Sequence, residues 1–199
     1  MLELLQQAGD RAIFNLPSRD REDAYEHAAR LYPGYQVEMD HAGNIKIMLP
    51  IGPEGGGQEA EAIIQLGIWN KQTQLGKVFS SQTVFRLPNG SKLMPDVAWI
   101  PADQWRRTDE QTRKTYRGVL VPAFVIEVRS QTDNLSELED KCREWIAGGV
   151  QEAWLIDPLT RKMQIFRPNS AIEVMAGEVA NGPSFMPGFV LNLQPIWDD

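Results

Sequence analysis

The sequence predicts an α/β domain in which a mixed β-sheet is flanked by helices, preceded by an N-terminal helix and a β-hairpin. Three observations point to this class. The chain has 199 residues with 42% apolar content, which suffices for one sizeable core. Segments with helical spacing of apolar residues alternate with segments of strand character. Residues 124–128 are apolar apart from Glu127, a pattern typical of a strand buried on both faces.

The N-terminal residues 1–34 are predicted to form a helical extension. Ala24, Ala28 and Leu31 lie at helical spacing, and Pro33 with Gly34 ends the pattern. A β-hairpin follows, because apolar residues alternate on both sides of the turn at residues 41–44. Residues 35–199 are predicted to form a single domain.

The middle of the chain is predicted to contain one helix and two strands. Residues 50–57 are rich in Gly and Pro, which indicates a loop. Residues 58–75 indicate a helix that ends at Gly76, and its core-facing positions are Ala60, Ile63, Ile64, Gly67 and Ile68. Residues 77–87 and 93–100 are predicted to be strands joined by a turn at residues 88–90.

The second half is predicted to hold the central strand and a second core helix. Residues 101–118 form a surface insertion with most of the basic residues: Arg106, Arg107, Arg113, Lys114 and Arg117. Residues 119–129 are the predicted central strand, and residues 134–147 are the helix that follows it. Further strands are expected at residues 153–156 and 163–166, followed by short apolar segments near residues 172–175 and 189–193.

The charge of the chain restricts its function. A formal net charge of −7 argues against tight DNA binding without metal ions, because nucleic-acid-binding surfaces are usually basic. It is compatible with a metal-dependent nuclease, whose site is acidic until cations bind. Phosphate contacts would have to come from the basic cluster within residues 101–118.

The compartment follows from what the sequence lacks. Cys142 is the single cysteine, so no intramolecular disulfide and no cysteine zinc site can form. The chain has no cationic and apolar leader and no run of about 18 apolar residues. We therefore expect a cytoplasmic protein that does not associate with membranes.

Asp96 and Glu127 are the first candidates for a functional site. An unpaired ionised carboxylate inside a buried strand costs several kcal/mol, so Glu127 needs a cation or a hydrogen-bond donor. Asp96 follows Pro95 on the neighbouring predicted strand, and pairing of the two strands could bring both carboxylates to one ion. Oxygen ligands without His or Cys favour Mg²⁺ or Mn²⁺.

Two cations could complete this site. Arg129 lies two residues after Glu127, on the same face of the strand, where it could hold a phosphate oxygen. Lys141 lies at the rim of the apolar face of the next helix and could reach over the sheet end. Structural roles are the alternative: Asp96 can accept hydrogen bonds in a turn, Glu127 can pair with Arg129, and Lys141 can pair with Glu137.

Other catalytic chemistries find little support in the sequence. The two histidines are His27, in the N-terminal helix, and His41, in the hairpin turn, so a Ser-His or Cys-His pair is not favoured. Residues 52–57 lack the Lys-Ser/Thr ending of a phosphate-binding loop. A nucleotide-hydrolysing or dinucleotide-binding domain is therefore not expected.

Six motifs spread over most of the chain share one family resemblance. They are residues 75–81 (LGKVFSS), 87–90 (LPNG), 95–99 (PDVAW), 126–130 (IEVRS), Lys141 and residues 149–158 (GVQEAWLIDP). In this order they resemble the Uma-two family of restriction-endonuclease-like proteins, within the PD-(D/E)XK nuclease superfamily. The resemblance implies a restriction-endonuclease-like domain and Mg²⁺-dependent cleavage of DNA phosphodiester bonds.

The resemblance also implies roles for individual residues. Asp96 takes the place of the family's first metal-binding acid and Glu127 that of the second. Glu61, or failing that Glu59, is the candidate for a third acid from the first core helix. Each of these assignments is a carry-over from the family pattern.

The cations depart from that pattern. Arg129 stands where the superfamily has a lysine, and arginine keeps the positive charge but does not readily give up a proton. Lys141 matches a lysine in the family's following helix and would supply the missing amine. Arg129 would then hold the phosphate while Lys141 orients water or stabilises charge.

The sequence therefore predicts a Mg²⁺- or Mn²⁺-dependent endonuclease that acts on DNA. One alternative is a catalytically inactive member of the fold that serves as a structural or interaction protein. Another is a nuclease whose DNA-targeting surface is supplied by a protein partner. A homodimer is expected by analogy with restriction enzymes that cut two strands.

Overall fold

The computed structural model describes the backbone of residues 11–15 and the whole of residues 20–198. Its N-terminal part contains β1 (Arg11–Asn15), α1 (Arg21–Leu31), β2 (Gln36–Met39) and β3 (Asn44–Met48). The predicted helix before Pro33 and the hairpin after it are confirmed. Helix was also predicted for the residues of β1, but they form a strand antiparallel to β3. The rest of the predicted helical extension lies outside the described residues, and the boundary at residue 34 stays a prediction.

The remaining elements contain the central sheet and its covering helices. In chain order they are α2 (Pro53–Thr73), β4 (Gly76–Ser80), β5 (Phe85–Arg86), β6 (Lys92–Leu93), β7 (Val97–Pro101), α3 (Ala102–Arg107), α4 (Glu110–Lys114), β8 (Phe124–Val128), α5 (Leu135–Ala147), β9 (Glu152–Asp157), β10 (Lys162–Phe166), β11 (Glu173–Met175), β12 (Val179–Asn181), β13 (Val190–Asn192) and α6 (Gln194–Trp197). Within the described ranges, no helix is both long and apolar enough to cross a membrane.

The strands form a central mixed sheet and an N-terminal sheet. The central sheet has the order β11-β10-β9-β8-β7-β4, in which β8 and β9 are parallel and the other neighbours antiparallel. The N-terminal sheet has the order β1-β3-β2-β6-β5, and β12 and β13 form a separate pair. The predicted α/β class with a mixed sheet is confirmed.

The central sheet separates two apolar cores. Phe124, Ile126 and Val128 of β8 pack on one face with α2 and the C-terminal segment. Val125 packs on the other face with α5. All five residues of β8 are buried, as the apolar run predicted, and Glu127 therefore lies within the α5 layer.

Two predicted strands are each divided between the sheets. Within residues 77–87, β4 joins the central sheet and β5 joins the N-terminal sheet. Within residues 93–100, β6 and β7 part in the same way, and the crossing comprises residues 94–96. Pro95 has no N–H group for a sheet ladder, which favours such an interruption. Asp96 consequently lies at the junction between the two sheets.

Helix α2 differs from its prediction in both its start and its buried face. It begins at Pro53, in the segment predicted as a loop, because proline is well tolerated in the first helical turn. Its buried residues are Gln58, Ala62, Leu66 and Trp69, whereas the exposed fractions of Ile64 and Ile68 are 52% and 53%. The helix carries apolar residues on both faces, so their spacing alone pointed to the wrong one. Helix α5 and strands β9 and β10 confirm their predictions.

Candidate functional site

A cavity of about 380 Å³ lies where the central sheet, the N-terminal sheet and the start of α2 meet. Its walls include residues 48–55, which lead from β3 into α2, and residues 130–133, which follow β8. Asp96, Glu127 and Lys141, all three proposed from the sequence, line it together with Glu59. The structure thus brings three of the predicted site residues to one place.

Asp96 and Glu127 are brought together by the pairing of β7 and β8. Val97 pairs with Ile126 in this antiparallel ladder, and one further step of the register sets Asp96 opposite Glu127. The Oδ2 atom of Asp96 accepts a hydrogen bond of 2.6 Å from the backbone N–H of Val128. Burial, with a further contribution from Glu59, raises the pKa of Asp96 well above its ordinary value.

Glu127 is almost fully buried, with 1% of its surface exposed, and both its oxygens are bound. Oε1 accepts a 2.7 Å hydrogen bond from the indole N–H of Trp145, and Oε2 lies 3.0 Å from the Nζ atom of Lys141. Trp145 and Lys141 are four residues apart on α5, so they share one helix face. Burial raises the pKa of Glu127 to about 8, and Lys141 only partly opposes this shift.

Lys141 only partly offsets the raised pKa of Glu127, because its ammonium group also contacts other acceptors. Nζ lies 2.8 Å from Oε1 of Glu38 and 2.8 Å from the backbone oxygen of Met94, in addition to Glu127. Burial alone would lower the pKa of Lys141, but the carboxylates of Glu127 and Glu38 outweigh it and raise that pKa. The side chain is therefore a fixed cation and not a proton acceptor.

Of the two acids that the sequence offered on α2, Glu59 lines the cavity and Glu61 does not. The Glu59 carboxyl group lines the cavity together with Asp96, and burial raises its pKa. Glu61 instead accepts a 2.9 Å hydrogen bond from Gln65, whose amide also reaches the Asn192 carbonyl oxygen of β13. Glu61 is therefore not among the residues that line the cavity, because the face of α2 that the apolar spacing indicated is not the face that the central sheet covers.

Arg129 also lies elsewhere than predicted. Its guanidinium group donates to Oδ2 of Asp157 at 3.0 Å and to the backbone oxygen of Asp133 at 3.3 Å. It joins the ends of β8 and β9, and it is not among the residues that line the cavity. The common face that the strand period predicts ends at Val128, after which the chain leaves the strand.

The basic cluster predicted for phosphate contacts is remote from the acidic cavity. Asp96 immediately precedes β7 and α3 immediately follows it, so about 17 Å of strand separates them. Within the basic cluster, Arg107 pairs with Asp103 and Lys114 with Glu110. Among the described residues that line the cavity, Lys141 is the one basic side chain and the acidic ones are Glu54, Glu59, Asp96, Glu127 and Asp133.

The raised pKa values predict how the stability of the metal-free protein depends on pH. The folded protein keeps a proton on Glu127 up to about pH 8, whereas the ordinary value is 4.5. Between these two values the folded state binds more protons than the unfolded state. The contribution of Glu127 to the free energy of unfolding is therefore complete below pH 4.5 and is lost as the pH rises through 8. Urea unfolding in the presence of a chelator should therefore show lower stability at pH 8 than at pH 5. A smaller dependence in Glu127→Gln is expected, and an equal dependence in both proteins would contradict the assignment.

Two comparisons relate the chain to known proteins, one through its sequence family and one through its fold. A family model described as Uma2, putative restriction endonuclease, matches residues 22–194. A solved structure of a putative nuclease belonging to DUF820 from Anabaena variabilis ATCC 29413 is similar, with a TM-score of 0.69 and 18% sequence identity. The match covers 81% of this chain and 89% of that one, and at this identity it supports the fold. No curated protein matches the sequence.

Proposed function

We propose that this chain, which belongs to the Uma2 putative restriction endonuclease family, cleaves DNA phosphodiester bonds with a divalent metal ion. The observation that supports this function is the convergence of Glu59, Asp96 and Glu127 at one cavity. Structural acids are usually each paired with a cation, whereas Lys141 is the one basic side chain among the described residues that line this cavity, and its carboxylate contacts are Glu127 and Glu38. Such an excess of buried carboxylate is typical of a cation site.

The donor chemistry fits Mg²⁺ or Mn²⁺, since all three side chains offer hard oxygen ligands. Within residues 20–198, however, no three acidic, histidine or cysteine side chains are already arranged as a metal cage. The contacts of Glu127 explain this, because its two oxygens are directed to Lys141 and Trp145. We propose Asp96, Glu127 and Glu59 as ligands, with Glu127 exchanging part of its contact with Lys141 for the metal.

The proposed roles follow from the charge of each group. A bound divalent ion supplies an activated water and neutralises negative charge in the transition state. Lys141, held protonated at the edge of the cavity, stabilises charge that develops on the phosphate. Arg129 keeps β8 and β9 together through Asp157 and does not contact the phosphate.

DNA is the proposed substrate, but this chain offers it little positive surface near the site. The acidic lining repels phosphates, and the basic cluster lies at the other end of β7. We therefore propose that a second copy of the chain or a protein partner supplies the cationic surface that guides DNA to the cavity.

The experiment that tests this function compares Glu59→Gln with Glu61→Gln, two neighbouring acids on one helix. Glu59→Gln is expected to weaken Mn²⁺ binding by about 10- to 100-fold and to lower DNA cleavage, because it removes a ligand. Glu61→Gln should behave as the parent, since Glu61 is bonded to Gln65. Calorimetric Mn²⁺ titration and cleavage of plasmid and linear DNA provide the two readouts.

Two results would overturn the proposal. If the parent protein binds no Mn²⁺, the metal site is wrong. If it binds Mn²⁺ but leaves plasmid, linear duplex and single-stranded DNA intact, the nuclease activity is wrong. The second result would favour an inactive member of the fold. Two observations support that role: Arg129 forms an ion pair with Asp157, and the ammonium group of Lys141 already contacts three acceptors.

A further inference from the structure

We infer that Glu38 is a positioning residue for Lys141, so that the N-terminal sheet forms part of the catalytic apparatus. Glu38 lies on β2, outside the central sheet that carries Asp96 and Glu127. The inference rests on the proposed function, because it assigns a partner to the lysine of that site.

The contacts of Glu38 are few and specific. The residue is 4% exposed, and its Oε1 atom lies 2.8 Å from Nζ of Lys141. The same oxygen accepts a 2.8 Å hydrogen bond from the backbone N–H of Met94, and the Met94 oxygen accepts one from Lys141. Glu38, Met94 and Lys141 thus form a closed ring of contacts. Met94 joins this ring to the site, because it precedes Asp96 by two residues.

This ring decides where the ammonium group of Lys141 lies. Without the charge of Glu38, Glu127 would be its one remaining carboxylate partner among the described contacts, and the ammonium would move fully onto Oε2. It would then compete with a divalent ion for that oxygen. With Glu38 in place, Lys141 is held between two carboxylates at the edge of the cavity, where it can face a phosphate.

Attachment of the hairpin to α5 does not require Glu38. Glu144, also on α5, accepts a 2.7 Å hydrogen bond from the backbone N–H of His41 in the hairpin turn and another from the hydroxyl group of Ser91. Lys46 of β3 pairs with Glu137 of α5 at 2.8 Å. These contacts join the same two elements, whereas Glu38 is directed to the lysine of the site.

The test compares Glu38→Gln with Glu144→Gln. Glutamine keeps an oxygen for Met94 and removes the charge that holds Lys141. Glu38→Gln is expected to lower kcat for DNA cleavage by about 10-fold or more, with KM for DNA changed by no more than about twofold, and to weaken Mn²⁺ binding. Glu144→Gln should match the parent in all three quantities.

Two further variants separate positioning from a simple effect of charge. Glu38→Asp keeps the charge but shortens the reach to Lys141, so positioning predicts a fall in kcat close to that of Glu38→Gln. In a Lys141→Met background, Glu38→Gln should cause less than about a twofold further change, because the residue it acts through is gone. Glu38→Asp provides the decision even if Lys141→Met does not fold.

The outcomes are distinguishable from failure of the function itself. A parent protein that neither binds Mn²⁺ nor cleaves DNA overturns the proposed function and this inference with it. An active parent in which Glu38→Gln resembles Glu144→Gln overturns the inference alone. The same holds if Glu38→Asp has the parental kcat, because charge without position would then be sufficient.

Discussion

Replacing Glu127 by Gln is expected to reduce metal-dependent DNA cleavage by about 10²- to 10⁴-fold, the equivalent of several kcal/mol of transition-state stabilisation. The amide keeps a hydrogen-bond acceptor for Trp145 but cannot carry the negative charge that binds a cation. Mn²⁺ is expected to raise the melting temperature of the parent by binding to the folded state, and this rise should disappear in the variant. Cleavage assays and thermal unfolding with and without Mn²⁺ measure the two effects.

Glu152 provides a matched control for this substitution. It is also a buried strand glutamate, on β9 beside β8, and it is bonded to the indole of Trp154 and to Arg167. Glu152→Gln therefore disturbs a comparable set of contacts away from the cavity. It should leave the Mn²⁺-induced shift and the activity unchanged, and a similar loss in both variants would contradict a specific role for Glu127.

Replacing Lys141 by Met is expected to destabilise the protein by about 3–5 kcal/mol at pH 8.5, because two buried carboxyl groups lose the cation they share. The methionine leaves Glu38 and Glu127 buried without their shared cation. The loss should be smaller at pH 5, because burial raises the pKa of Glu127 to about 8 and this group then carries a proton. Cleavage should fall as well, since the fixed positive charge at the cavity is removed. Urea unfolding at the two pH values gives the first result.

Lys46 is the matched control for this prediction. It too bridges the hairpin and α5, through a 2.8 Å pair with Glu137, but its side chain is 20% exposed and that of Glu137 is 40% exposed. Lys46→Met should cost less than about 1 kcal/mol, with little dependence on pH, as is usual for surface pairs. Equal losses for Lys46→Met and Lys141→Met would show that Glu38 and Glu127 do not depend on the buried cation.

The parts of the site that the sequence predicted are those with a strong local signal. Glu127 was recognisable because a charged residue interrupts a run of buried apolar residues. Lys141 was placed correctly by the period of α5, a helix whose apolar residues lie on one face. Asp96 followed from the pairing expected for neighbouring strands, although β7 begins at Val97, one residue after Asp96.

Glu38 and Glu59 had no comparable signal. Glu38 alternates with Val37 and Met39, a pattern that normally directs the acid to solvent, but its strand is covered by Lys141 of α5. Glu59 lies on a helix that has apolar residues all round, so its orientation depends on which face the central sheet covers. The two-residue period of a strand predicts that Arg129 and Glu127 lie on the same face, yet the Arg129 side chain pairs with Asp157 of the neighbouring strand.

The sequence by itself determined the α/β class, the central strand with its buried glutamate and the amphipathic helix that follows. Each of these depends on the period of apolar residues within about ten neighbours, which the chain displays directly. Only the tertiary structure decided which carboxylates contact Lys141, to which sheet each half of a divided strand belongs and which acid pairs with Arg129. Those outcomes depend on contacts between residues far apart in the chain: Glu38 and Lys141 are 103 positions apart, and no local pattern links the two.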